Sequence, residues 1–162
     1  MKSAEELVEE GNWADLLVGN YVLAHVPDLN YFFKGLKVLL SPQVVITIVF
    51  PLLKNLIECN NFDTIYHEHF SYFSLLTVET VFAEFDLTIF DVEEIPTHGG
   101  SLRINARHKS DKTKPNHNSV DNKTNQEKKA GYRDNRINTT FAEQVKETKR
   151  KLQSLLIEAK RQ

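Results

Sequence analysis

A chain of 162 residues, 41% hydrophobic and with a formal net charge of −2, is long enough for one domain with an appendage. It is not basic enough to single out nucleic acid as a partner. One cysteine, Cys59, excludes an internal disulfide and a cysteine-built zinc site, and reads as a small buried or half-buried thiol in a reducing cytosol. The N-terminus, Met1 to Glu6, has no apolar signal core. The apolar stretches are broken by Pro42, Pro51 and Lys54, so the expectation is a cytoplasmic protein with no membrane and no nucleic-acid partner.

In chain order, residues 3–12 read as a short helix with Ser3 as cap and Glu6 three residues on. Asp15-Leu16-Leu17-Val18-Gly19 reads as a strand buried on both faces. A loop from Asn20 to Val26 precedes a helix begun by Pro27-Asp28, with Leu29, Phe32, Phe33, Leu36 and Leu40 on one face. The run Val44 to Phe50 is the strongest strand, closed by Pro51. Residues 52–60 suggest a helical turn or two, and a loop from about Asn61 to Leu76 follows. Thr77 is the expected cap of the next helix, which turns Val78, Val81, Phe82 and Phe85 to one side. Leu87 to Val92 and Ser101 to Ala106 are strands joined without a helix, hence an antiparallel hairpin.

Such alternation predicts a three-layer α/β sheet, mostly parallel, over residues 1–107. Residues 108–136 lose their apolar character and read as a linker or mobile insert. Residues 137–162 resume as an amphipathic helix. Its stripe of Phe141, Val145, Thr148, Leu152, Leu155 and Ala159 calls for a partner, in the domain itself or in another chain.

The chemistry concentrates in Tyr66-His67-Glu68-His69, four proton-handling side chains between Ile65 and Phe70. A His beside a Glu and near a Tyr can act as general base, with the carboxylate orienting an imidazole and the phenol donating to an oxyanion. The alternative is a polar cluster that caps local elements and faces water. A metal site is disfavoured, because the two histidines stand two apart rather than in a helical His-Glu-x-x-His. His25 lies in the loop after the first strand. Loops that follow strands of an open α/β sheet share its carboxyl edge, so His25 can approach Tyr66–His69. His98-Gly99-Gly100-Ser101 reads first as a tight turn, and Arg103 as a partner for a carboxylate or a substrate phosphate. No Gly-x-Gly-x-x-Gly occurs, so residues alone suggest the later half of a nucleotide-binding sheet.

Ala14 to His108 resembles the S-adenosylmethionine-dependent C-methyltransferases of nucleotide-linked deoxysugars. The resemblance rests on Asp15 to Asp28, on Tyr66-His67-Glu68-His69-Phe70-Ser71-Tyr72-Phe73-Ser74, and on Thr97-His98-Gly99-Gly100-Ser101-Leu102-Arg103. It implies the C-terminal half of a Rossmann-like class I methyltransferase sheet with a terminal antiparallel hairpin, then a linker and a helix. It also implies S-adenosylmethionine as cofactor and a small nucleotide-linked keto-deoxysugar as substrate. A base would remove the proton beside the ketone, and the enolate would take the methyl group. By motif match His69 is the base. Tyr66, Glu68 and His25 position the sugar and stabilise the enolate, Asn20 lies near the cofactor, and His98 and Arg103 bind substrate. The sequence departs from the family in lacking its cysteine-built zinc domain, glycine-rich loop and acidic ribose ligand. Ser41-Pro42-Gln43-Val44 stands where Pro-Gly-Gly is usual, and Val49 where an acid is common. An internal fragment is therefore expected, with weak cofactor binding of its own. The competing expectation is an inactive α/β fragment that binds a partner through 141–159.

Overall fold

The computed structural model of the chain describes residues 3–133 and 136–161. Parts of the expected linker (134–135) and of the terminal helix (Gln162) lie outside the described residues, as do Met1 and Lys2 of the N-terminus.

Helix α1 (Ala4–Glu9) starts as expected: the Ser3 hydroxyl accepts from the Glu6 N–H while the Glu6 carboxylate accepts from the Ser3 N–H. Strand β1 (Ala14–Asn20) leads through a 3₁₀ turn at Leu23–His25 to α2 (Leu29–Leu39), capped by the Asp28 carboxylate on the Tyr31 N–H. Strand β2 (Leu40–Pro51) begins where that helix stops. Then come α3 (Leu53–Glu58), a 3₁₀ turn at Phe62–Thr64, α4 (Leu75–Glu84), β3 (Leu87–Ile95) and β4 (Ser101–His108), the last two joined by a turn at Thr97–Gly99. Helices α5 (Asn118–Ala130) and α6 (Arg136–Arg161) complete the chain.

The sheet order is β1-β2-β4-β3. β1 and β2 pair in parallel, and β4 lies antiparallel to both β2 and β3. The expected α/β class and terminal antiparallel hairpin are therefore present. The mostly parallel pairing is not. β1, β2 and β3 run the same way, but β4 inserts between β2 and β3 and makes two of the three pairings antiparallel. A short turn rather than a crossover helix joins β3 to β4, and a turn can only reverse the chain.

Ile46, Ile48 and Phe50 of β2, Leu102, Ile104 and Ala106 of β4, and Leu87, Ile89 and Val92 of β3 share one face by register. Phe33 of α2, Val78 and Phe82 of α4 and Val120 of α5 cover them. Phe33 anchors this core, edge-on to Phe82 at 4.9 Å and stacked on Phe85 at 5.6 Å.

The other face of β1 is open. Leu16 is 57% exposed and Val18 60%, so β1 is not buried on both faces, and the layering there is helix on sheet rather than three-layer. An apolar strand is buried doubly only where elements pack on both sides of it.

Three further expectations change. The cap of α4 is Ser74, whose hydroxyl accepts from the Thr77 N–H. Thr77 sits inside the helix, and Leu75 and Leu76 form its first turn because both are taken up by neighbouring elements. Cys59 is exposed, because it follows the last residue of the short α3 rather than lying on its inner face. The segment 108–136 is not a linker. Over its described part it folds into α5, packed on β3 and α4 with Val120, Lys123, Thr124 and Glu127 buried. Three of these four are polar and are satisfied by specific partners, so hydropathy is silent about them. Helix α6 touches the rest near α3 through the Asn60 amide, which donates to the Thr148 hydroxyl at 2.7 Å. Leu152, Leu155, Leu156 and Ile157 remain exposed. Among the described residues no helix is long and apolar enough to cross a membrane.

Candidate functional site

The loop after β2 is tied to the loop after β1 by main-chain bonds. The N–H groups of Phe70 and Ser71 both donate to the Ala24 carbonyl, at 2.8 and 3.3 Å. Leu53 N–H donates to the Phe73 carbonyl at 2.9 Å, fixing the far end of the loop to α3. These ties bring His25 to His69, ring centroids 4.8 Å apart. Both loops follow strands at the carboxyl edge of the sheet, where ligands bind in open α/β folds.

The protonation pattern follows from the partners. His69 Nδ1 lies 2.9 Å from the Thr64 carbonyl, which can only accept, so Nδ1 carries the hydrogen. Nε2 of the neutral ring then holds a lone pair, and the Tyr66 hydroxyl 3.0 Å away donates to it. His25 is pinned in the same way, with Nδ1 donating to the Glu68 carbonyl at 2.9 Å. Two imidazoles thus stand side by side as Nδ1–H tautomers, each with an unprotonated Nε2, that of His69 accepting from the Tyr66 hydroxyl. Tyr72 backs the cluster. Its ring meets His69 edge-on at 5.8 Å and its hydroxyl donates to the same Thr64 carbonyl at 3.4 Å. Burial pushes the Tyr72 phenol above its ordinary value, which keeps it a neutral donor.

The other expected site residues are placed differently. Glu68 contributes its carbonyl to His25, while its carboxylate is exposed beside His67 at 3.9 Å. Arg103 lies outside the cluster and pairs with Glu93 across the β3–β4 ladder. The His98 ring lies against Tyr21, centroids 4.2 Å apart and planes tilted by 47°, and the Tyr21 hydroxyl shares a hydrogen with the Thr97 hydroxyl at 2.6 Å. Tyr21 and His98 both have left-handed backbones, φ 58° and 54°, so two uncommon conformations meet where the β1 loop touches the β3–β4 turn. The glycines of that turn are needed. Gly99 and Gly100 have φ of 76° and 106°, and a Cβ on Gly100 would fall 2.0 Å from the Asn55 amide.

Asn20, Tyr21 and His25 open on a groove of about 900 Å³ whose walls include Val26, Phe32 and Leu36. Tyr21 and the Thr64 carbonyl escape a reading of the sequence. The first sits in a common strand-end segment, and the second acts through its main chain. The described residues contain no group of three or more His, Cys, Asp or Glu able to hold a metal.

Residues 96–162 match the C-methyltransferase C-terminal domain. Over 100 residues the chain is 39% identical to the C-methyltransferase NovU of Streptomyces niveus, covering 62% of this chain and 24% of that protein. The chain thus spans about a quarter of the length of that relative. A solved structure of a SAM-dependent methyltransferase from Methanosarcina mazei aligns over 60% of each chain, at 16% identity and a TM-score of 0.44.

Proposed function

We propose that this relative of the C-methyltransferases supplies the substrate side of an S-adenosylmethionine-dependent C-methyl transfer to a nucleotide-linked keto-deoxysugar. The observation that carries the reading is His69, fixed by the Thr64 carbonyl with Nε2 unprotonated and a phenol upon it. The substrate class comes from the motif resemblance.

The groove beside Asn20 fits an adenosyl group: its volume suffices, its walls are mainly apolar, and the Asn20 carboxamide offers both a donor and an acceptor. Bound there, S-adenosylmethionine supplies an electrophilic methyl group. This chain's residues prepare the carbon that receives it. As the Tyr66 hydroxyl turns its hydrogen from His69 Nε2 toward the ketone oxygen, the freed Nε2 lone pair takes the proton from the carbon beside the ketone, and the C–H electron pair moves through to the carbonyl oxygen as an enolate. Protonation of Nε2 reverses its bond with Tyr66. Nε2–H now donates to the phenol oxygen, and the phenol's own hydrogen is released to the enolate oxygen. The Thr64 carbonyl, kept by Nδ1–H throughout, stabilises the imidazolium. His25, held by the Glu68 carbonyl, presents its Nε2 to a sugar hydroxyl.

Methyl-labelled S-adenosylmethionine with a keto-sugar nucleotide tests the reaction. The label is expected on the carbon adjoining the ketone, with a rate about 10²–10⁴-fold lower in His69→Ala. Label on oxygen, or full rate in the variant, contradicts the mechanism.

A further inference from the structure

Glu127 lies on α5 and is fully buried at 0% exposure. Its two carboxylate oxygens accept separately from the N–H groups of Leu75 and Leu76, both at 3.0 Å. Those are the first two residues of α4, whose N–H groups have no partner within the helix. Ser74 takes the Thr77 N–H by its hydroxyl, and the helix's own ladder begins with the Val78 N–H on the Ser74 carbonyl, so the N–H groups of the first three helical residues are all satisfied. A carboxylate at this pole is also favoured by the helix dipole.

The clamp lies close in sequence to the site. Leu75 follows Ser74, which is itself buried, and Phe73, which is paired with Leu52 and bonded to Leu53. One residue earlier is Tyr72, whose ring lies edge-on to His69 and whose hydroxyl shares the Thr64 carbonyl with His69 Nδ1. Only Phe73 and Ser74 therefore separate the Leu75 amide that Glu127 holds from the Tyr72 phenol that backs His69. No other charged side chain reaches the Leu75 and Leu76 amides among the described residues.

We infer that Glu127 is a positioning residue for His69, acting through the first turn of α4 and Tyr72 to keep the imidazole in its Nδ1–H tautomer. The inference rests on the reading of His69 as a base and names what holds that base in register. It also makes α5, within the matched C-terminal stretch, part of the site's support.

The readout is the tautomer of His69, measured from ring ¹⁵N shifts in the full chain, which needs neither cofactor nor substrate. In the parent chain Nδ1–H dominates. In Glu127→Ala the dominance is lost and the ring moves toward the Nε2–H form preferred by free histidine. Glu127→Gln keeps one acceptor for two N–H groups and gives an intermediate loss. Ile104→Val, in the sheet core rather than at the N-terminal pole of α4 where Glu127 binds, lowers stability without moving the tautomer. If Glu127→Ala does not fold, Glu127→Gln decides. An unchanged His69 tautomer in the folded glutamine variant, or an equal shift in Ile104→Val, overturns the inference. A chain that still methylates after His69→Ala would remove the base reading and leave this tautomer result standing.

Discussion

At one edge of the sheet, β3 is closed over. The Phe90 carbonyl, at the bulge between Ile89 and Asp91, accepts from the His117 N–H at 2.7 Å. The Val92 N–H donates to the Ser119 hydroxyl, and the Lys123 ammonium pairs with Glu94 at 2.7 Å. At the other edge, β1 pairs with β2 alone and shows Leu16 and Val18 to solvent. The covered edge is finished by polar and charged groups, and the bare edge by apolar ones. Burial here depends on whether each polar atom finds a partner, because a satisfied carboxylate can be enclosed while an unpacked leucine stays wet.

The largest effect that tests this contrast is in stability. Glu127→Ala strands one buried and one half-buried N–H group at about 1–3 kcal/mol each, so denaturant unfolding should lose about 3 kcal/mol. Leu16→Ala, on the bare edge, should change it by less than about 0.5 kcal/mol. Equal losses would erase the difference between the edges.

Next comes acid. The Thr113 hydroxyl and N–H, with Lys114, hold the Asp111 carboxyl down to about 2. A carboxyl depressed in the folded state stabilises fully above its unfolded value and loses that contribution as pH falls toward its folded one. The segment that covers β3 should therefore loosen between about pH 4 and pH 2. Asp111→Asn should flatten that part of the unfolding profile, and an unchanged profile would remove Asp111 from the account.

The smallest effect is local opening. The β1 amides that do not face β2 should exchange with deuterium at nearly unprotected rates, while the Val92 and His117 amides stay protected. Protection of the outer β1 amides would mean that the edge is covered in solution.

Much of this arrangement is legible in the sequence where one local rule decides. The Ser3–Glu6 capping box, the β-branched run of β2 and the 3.6-period stripe of α2 from Leu29 to Leu36 form as their patterns predict, while Leu40, expected on that stripe, opens β2. The meeting of His25 with Tyr66 and His69 follows from the two loops sharing a sheet edge. What stays hidden depends on atoms without a sequence signature. The carbonyls of Thr64 and Glu68 set both tautomers, yet any residue supplies a carbonyl. Helix α5 buries Lys123 and Glu127 against groups far along the chain, so composition presents it as a linker. Ser74 and Thr77 are both good caps, and only the packing of Leu75 against the core selects the first.

The proton chemistry can be isolated from methyl transfer. With a keto-sugar nucleotide in deuterated water and no methyl donor, a base at His69 should exchange the hydrogen on the carbon beside the ketone. Tyr66→Phe should slow that exchange by about 10²-fold, through the lost oxyanion donor. His69→Ala should abolish the catalysed exchange while leaving the fold intact. Exchange at the parent rate in His69→Ala would show that the proton leaves by another route and contradict the account.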